Sequence, residues 1–366
     1  MSRIRIGVIG AGMIAQVEHI PNLLRLRDKF EVKAVCDPSA VSRHFVEETF
    51  SMPAFERPDQ VLDLPLDAVL IASPDPLHHE QVLAALERGL HVFCEKPLCY
   101  APSDIDQIIA TRDRAKRVVQ VGYMKRFDPH YEAALNLMPG KAETLRYVSV
   151  EVNDPDAWPF VRHHAFRREA DIALDIIEEG RRKQVEQVAR AVPGRLDDLA
   201  FRGFCSAYCS SLIHDVNAVH GLLDRLGIGD GEIVGAQIFA NGDGGLGTVR
   251  LPGGKAMWNM VHLAVPALAD YRETISLYFD DAILRLVFPS PYLNHQPTRL
   301  ILEKSDGHVL NVTETNAGYE EAYIRELDGF WDAIVNGRTV RNPPEEARRD
   351  QVLLCGLAAF FAQHNH

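Results

Sequence analysis

Residues 4–15 read IRIGVIGAGMIA, a β-branched run that stops at Gly10-Ala11-Gly12 and passes into an amphipathic stretch. Gly10, Gly12 and Ala15 stand in the spacing GxGxxA. In that setting the first glycine permits a tight turn, the second lets the backbone approach a pyrophosphate, and the small third residue lets helix and strand pack closely. The helix N-terminus that follows offers free N–H donors and the positive end of a dipole. The same strand-then-helix grammar recurs in FEVKAVC, LDAVLIA, HVFC and RVVQVG, each followed by an amphipathic segment. Short apolar strands alternating with helices imply a parallel, doubly wound sheet of the α/β class. Asp37 closes the second strand, where a carboxylate can hold both ribose hydroxyls of NAD and repel the 2′-phosphate of NADP. NAD is therefore expected over NADP.

The chain has 366 residues, more than one hydrophobic core usually supports, so two domains are expected, with the boundary at 123/124. Past Tyr123 the pattern changes. A helix in DPHYEAALNLM precedes a strand in TLRYVSVEVN, then a charged helical stretch and the helical SLIHDVNAVHGLLDRL. Neighbouring strands without intervening helices run from Glu232 to Glu303, which points to a mainly antiparallel, open sheet in an α+β domain spanning 124–366. The charged stretch reads as a helical insertion around 167–200 with a solvated face.

Hydrophobic residues make up 46% and charged residues 25% of the chain, a globular balance, and no apolar run approaches the roughly 20 residues of a membrane-spanning helix. Six cysteines without CxxC pairs fit buried thiols in a reducing compartment and no metal site. The glycines of the first 15 residues fall where the turn needs them, so this stretch is read as mature protein in the cytoplasm and not as a secretory leader. A net charge of −12 disfavours nucleic acid and anionic membranes and suits a small neutral ligand.

Further motifs stand at the ends of the fourth and fifth strands, where ligands of doubly wound sheets bind. They are Ser73-Pro74-Asp75 with His78 three residues on, then ALERGLHVFCEKPL, then GYMKRFDP with Arg126. ELDGFWDAIVNGR, Ala347 and Asp350 close the chain. In this order the residues resemble the Gfo/Idh/MocA oxidoreductases, the glucose–fructose oxidoreductase and inositol dehydrogenase group, with serine for threonine at 73 and aspartate for asparagine at 75 as departures. The resemblance implies a Rossmann domain followed by the α+β domain. It assigns cofactor contacts to Gly10, Gly12, Met13, Ile14, Asp37, Ser73, Asp75, His78, Glu95, Lys96 and Arg126. It also makes Lys96 catalytic and implies a homodimer or homotetramer joined through the C-terminal sheet.

On an ideal helix Ser210, His214 and Asn217 share one face. His214 matches the family's catalytic histidine, while Ser210 stands where the family carries an aspartate. Asp154, Trp158, His163 and His164 form a polar-aromatic loop suited to a sugar ring. The substrate contacts expected are thus Lys96, Tyr123, Asp154, Trp158, His163, Ser210, His214 and Asn217. The function expected is NAD-dependent oxidation of a secondary ring hydroxyl of a sugar, glycoside or cyclitol to a ketone. Two alternatives share these residues: an enzyme that recycles NAD during glycoside cleavage or epimerisation, and a non-catalytic dinucleotide or sugar sensor.

Overall fold

The structure is a computed structural model that describes residues 3–168, 170–192, 194 and 196–364. Strands β1 (Ile4–Ile9), β2 (Phe30–Cys36), β3 (Ala54–Phe55), β4 (Ala68–Ile71), β5 (His91–Glu95) and β6 (Val119–Gly122) form one sheet in the order β3-β2-β1-β4-β5-β6. Every pair in it is parallel. The strand order reverses between β1 and β4, and ligand sites of such sheets lie at that point, beyond the carboxyl ends of the strands.

A second sheet contains β7 (Leu145–Asp154), β8 (Glu232–Phe239), β9 (Gly244–Arg250), β10 (Met257–Ala264), β11 (Arg272–Phe279), β12 (Ala282–Phe288), β13 (Arg299–Ser305) and β14 (Leu310–Thr315). Its order is β14-β13-β12-β11-β7-β10-β9-β8, antiparallel throughout except for the parallel β7–β10 pair. No helix among the described residues is long and apolar enough to cross a membrane.

The backbone divides into two compact units. One holds residues 1–124, 162–191 and 323–349, the other 125–161, 192–322 and 350–366. This differs from the single boundary read at 123/124, because two later segments return to the first unit. The reason is burial. A parallel sheet is apolar on both faces and must be covered on both. Leu327, Phe330 and Trp331, one stripe of the helix Ala322–Val335, pack in the core with Ile6, Val8, Phe30, Leu70 and Phe93. The charged helix Leu174–Ala191 is largely solvated as expected, yet its Gln187, Val188 and Ala191 are buried.

Asn342 stitches the last returning segment to β6. It is fully buried, its carbonyl accepts from Val121 N at 2.9 Å, and its side-chain amide donates to Tyr123 O at 3.0 Å. Asn342→Ala keeps the Val121 bond but removes the buried amide donor to Tyr123 O, so we expect a loss of about 1–3 kcal/mol in urea unfolding.

Candidate active site

The glycine turn has the geometry its sequence implies. Gly10 sits at φ +93°, and a Cβ there would lie 2.5 Å from Ala72 O. A Cβ on Gly12 would meet nothing within 4 Å, so the surface in front of it is open to a ligand. Met13 and Ile14 are half-buried beside it. Asp37 closes β2 and reaches back across the turn. Its Oδ2 accepts from Ala11 N at 2.7 Å and its Oδ1 from Ser39 N at 2.8 Å. Burial pushes this carboxyl up, while the Ala11 and Ser39 amides and the nearby Arg43 charge pull it back. An open glycine surface beside a carboxylate at the end of β2 fits the pyrophosphate and ribose of a nicotinamide dinucleotide.

At the ends of β4 and β5 the chain is held by one imidazole. His78 is fully buried, with its two ring nitrogens each 2.8 Å from a carbonyl, Pro97 O and Ser73 O. It thereby fixes the loop after β4 to the loop after β5. Asp75 accepts from Tyr100 OH at 2.9 Å, and Ser73 Oγ donates to Gln81 at 2.6 Å. The Lys96–Pro97 peptide is cis, and Lys96 is half-buried immediately past β5.

Glu95 does not open onto solvent. Its Oε1 lies 2.6 Å from His19 Nε2 and its Oε2 accepts from Lys96 N at 3.1 Å. Burial alone would raise its pKa, but the His19 hydrogen bond and the charges of His19 and Lys96 hold it below the ordinary carboxylate range. Glu326, fully buried nearby, is driven well above that range by burial and then by the charges of Glu95 and Glu18. Sequence reading missed His19, which ends the π-helical turn Ala15–His19. Such turns often mark functional positions.

In the second unit one sheet face turns from apolar to polar at its end. The row Leu286–Ile275–Val150–Met260 is followed two residues on by Phe288–Glu273–Val152–His262. Lys125 joins this polar end, bonding Asp215 Oδ1 at 2.9 Å and also Glu273. Tyr271 OH donates to Glu273 Oε2 at 2.9 Å. Burial opposes the Lys125 charge, but the two carboxyls keep its pKa raised, while burial and the Glu273 charge push Asp215 well up. His262 is 4% exposed and neither ring nitrogen has a hydrogen-bond partner; Asp154 Oδ2 lies 3.8 Å away. The signal was present in MWNMVHLA, where His262 is in phase with the buried Trp258 and Met260.

Other expected residues are not grouped as the spacing suggested. Ser210 lies in a π-helical stretch, Phe204–Leu212, ahead of the helix Ile213–Arg225, so α-helical phasing does not carry through it. Ser210 is exposed, His214 half-buried and Asn217 buried. Asn217 donates to Asp350 Oδ2 at 2.8 Å, and its carbonyl accepts from Arg126 Nε and Nη2 at 2.9 and 2.6 Å. Arg126, expected at the cofactor, is buried in the second unit on that carbonyl. Tyr123 is buried in the first unit with its carbonyl held by Asn342. Trp158 is 59% exposed in the second unit, whereas His163, its ring 4.1 Å from that of His164, belongs to the first.

Residues 4–123 match the model of an oxidoreductase family described as NAD-binding Rossmann fold, GFO_IDH_MocA. Inositol 2-dehydrogenase 3 of Saccharopolyspora erythraea is 42% identical over 139 residues, 37% of this chain and 40% of that protein. Myo-inositol 2-dehydrogenase of Thermotoga maritima is 33% identical over 157 residues, 41% of this chain and 46% of that protein. The chain thus matches less than half the length of these curated relatives. Among solved structures, the 3-ketoreductase KijD10 of Actinomadura kijaniata with NADP and TDP-benzene superposes with a TM-score of 0.73 at 18% identity, covering 98% of each chain. UDP-N-acetylglucosamine 3-dehydrogenase GnnA of Acidithiobacillus ferrooxidans gives 0.70 at 18% identity, covering 100% of each. At that identity the likeness is one of fold.

The two glycines should separate stability from ligand binding. Gly10→Ala forces an unfavourable φ and a clash with Ala72, and should cost about 2–4 kcal/mol in urea unfolding. Gly12→Ala should leave stability equal or up to about 1 kcal/mol higher, since a methyl restricts the unfolded chain. The same methyl should weaken NADH binding, read by nicotinamide fluorescence.

Proposed function

We propose that the chain is an NAD-dependent dehydrogenase of the Gfo/Idh/MocA oxidoreductase family, whose model residues 4–123 match. Its substrate is a sugar, glycoside or cyclitol, and a secondary ring hydroxyl becomes a ketone. The observation that carries the reading is Lys96, set just past β5 in a sheet whose first turn has the open glycine surface and the Asp37 carboxylate of a dinucleotide site. The inositol and sugar dehydrogenases among the relatives support the substrate class.

A nicotinamide dinucleotide held by its pyrophosphate at this turn would supply the hydride acceptor. The chain must then supply a base for the hydroxyl proton, and Lys96 takes that role, with its backbone anchored by Glu95 and the buried His19 behind it. His214 is the second proposed proton-handling residue. The polar end of the second sheet, Glu273, His262 and Asp154, offers donors and acceptors for ring hydroxyls; Trp158, largely exposed, offers apolar surface for the C–H face of a ring. Asp37 favours NAD, because a 2′-phosphate would meet like charge and displace its ribose contact.

We further propose that the protein is a homodimer or homotetramer through the eight-stranded sheet. Leu310 and Val312 of its edge strand β14 are 60% and 63% exposed, and apolar edge strands invite pairing. Light scattering at micromolar concentration should give at least twice the monomer mass; a monomer would sink this part of the reading.

The activity is tested by screening sugars, polyols and glycosides with NAD for NADH absorbance. With the substrate so found, Lys96→Met should bind NAD yet turn over about 10²-fold more slowly or worse, the usual loss for a positioned acid–base group. His214→Asn should lose a comparable factor, and His262→Leu should raise KM more than it lowers kcat. Near-normal turnover in folded, NAD-binding Lys96→Met would refute the mechanism.

A further inference from the structure

The helical insertion does more than cover the first unit's surface: the segment that leads into it crosses both halves of the dinucleotide fingerprint. At the glycine turn, the Gln16 side chain pairs with the Arg167 backbone, accepting from Arg167 N at 2.7 Å and donating to Arg167 O at 2.9 Å. The same Gln16 amide donates to Ala11 O at 2.6 Å, inside the turn. Four residues after Arg167, Asp171 arrives at the start of the helix Ala40–Phe50, just beyond Asp37, and its Oδ2 accepts from Val41 N at 3.0 Å. Further on, Gln184 bonds Tyr100 OH at 2.9 Å and Gln187 bonds Pro76 O at 2.7 Å, so the helix Leu174–Ala191 also rests on the loops after β4 and β5.

The placement of Asp171 is not needed to cap the helix. Ser39 already does so, its Oγ accepting from Ser42 N at 3.0 Å. Arg43 is the guanidinium that neighbours Asp37, and its Nη1 donates to the carbonyls of both Asp37 and Pro38 at 2.8 Å. What Asp171 adds is charge. Hydrogen bonds from Ser39 and then from the Val41 amide hold its carboxyl below the ordinary range, and its field falls on Asp37.

Given the dinucleotide reading above, on which this rests, the ribose 2′-position of a bound cofactor lies at Asp37. The amides of the adjoining helix N-terminus would otherwise receive a 2′-phosphate there. We propose that Asp171 is a cofactor-specificity residue. Carried on the inserted segment, it places a second carboxylate where the 2′-phosphate of NADP would bind, and so excludes NADP by occupying the donors and by like charge. Discrimination is then shared between Asp37, which the strand–turn–helix supplies, and a residue about 130 positions away in sequence.

The test is the ratio of dissociation constants for NADPH and NADH, measured by nicotinamide fluorescence on the full chain. Two variants separate charge from hydrogen bonding: Asp171→Asn keeps an acceptor for Val41 N but removes the charge, and Asp171→Ala removes both. Asp171→Asn should lower the NADPH/NADH ratio by about 10-fold, the scale of one charge at a helix terminus, and Asp171→Ala, which also frees the Val41 amide, by more. A wild type that binds NADH, together with an unchanged ratio in both variants, overturns the assignment of Asp171 and leaves Asp37 to discriminate alone. A wild type that binds neither nucleotide removes the dinucleotide reading and the specificity role with it.

Discussion

A sheet of parallel strands has no face that water can be left against, and this requirement organises the first unit. β1, β4 and β5 are buried almost without interruption, so both of their surfaces must be packed. The residues that follow each strand in sequence do not complete the covering. Leu327, Phe330 and Trp331 return from more than 200 residues later to pack against Phe93 and its neighbours. Once that core is closed, the carboxyl ends of the strands become the place where polar groups can be held in fixed positions without being needed for packing.

Those polar groups are held chiefly by buried partners. His78 ties together the loops after β4 and β5, and His19 engages the carboxylate of Glu95 beneath Lys96. Glu326 adds a carboxyl whose pKa burial and the charges of Glu95 and Glu18 push well up. Such buried backing fixes the backbone of Lys96 at the end of β5. The second unit solves a similar problem differently. Its sheet face is apolar through Val150 and Met260 and becomes polar one row later at Glu273 and His262, with Lys125 paired to the buried Asp215 and Glu273.

The local elements were legible in the chain because their signals are local. Gly10, Gly12 and Ala15 with the flanking periodicities specify a strand, a turn and a helix, and Asp37 follows at the spacing that such a unit requires. The strand runs and the change of grammar after Tyr123 specify a parallel sheet followed by a mainly antiparallel one, and both are present. The resemblance carried by EKP and the flanking motifs pointed to Lys96 for the same reason: those residues lie next to one another in sequence.

What depended on distance in sequence was decided only by the tertiary structure. The helices 174–191 and 322–335 look like surface or second-domain elements until the first settles on the loops after β4 and β5 and the buried stripe of the second joins the core of the first sheet. Ser210, His214 and Asn217 share a face on an ideal helix, but a π-helical stretch shifts the phase, and Asp350 claims the amide of Asn217. His19, His262 and Asp171 carry no motif, and Glu326, though it opens ELDGFW, gives no sign there of its burial; each acquires its chemistry from a partner far along the chain. Short-range pattern determines which element forms. Which polar groups end up buried together, and hence charged, neutral or aimed at a ligand, is set by desolvation and by neighbours that only the folded chain brings within a few ångströms.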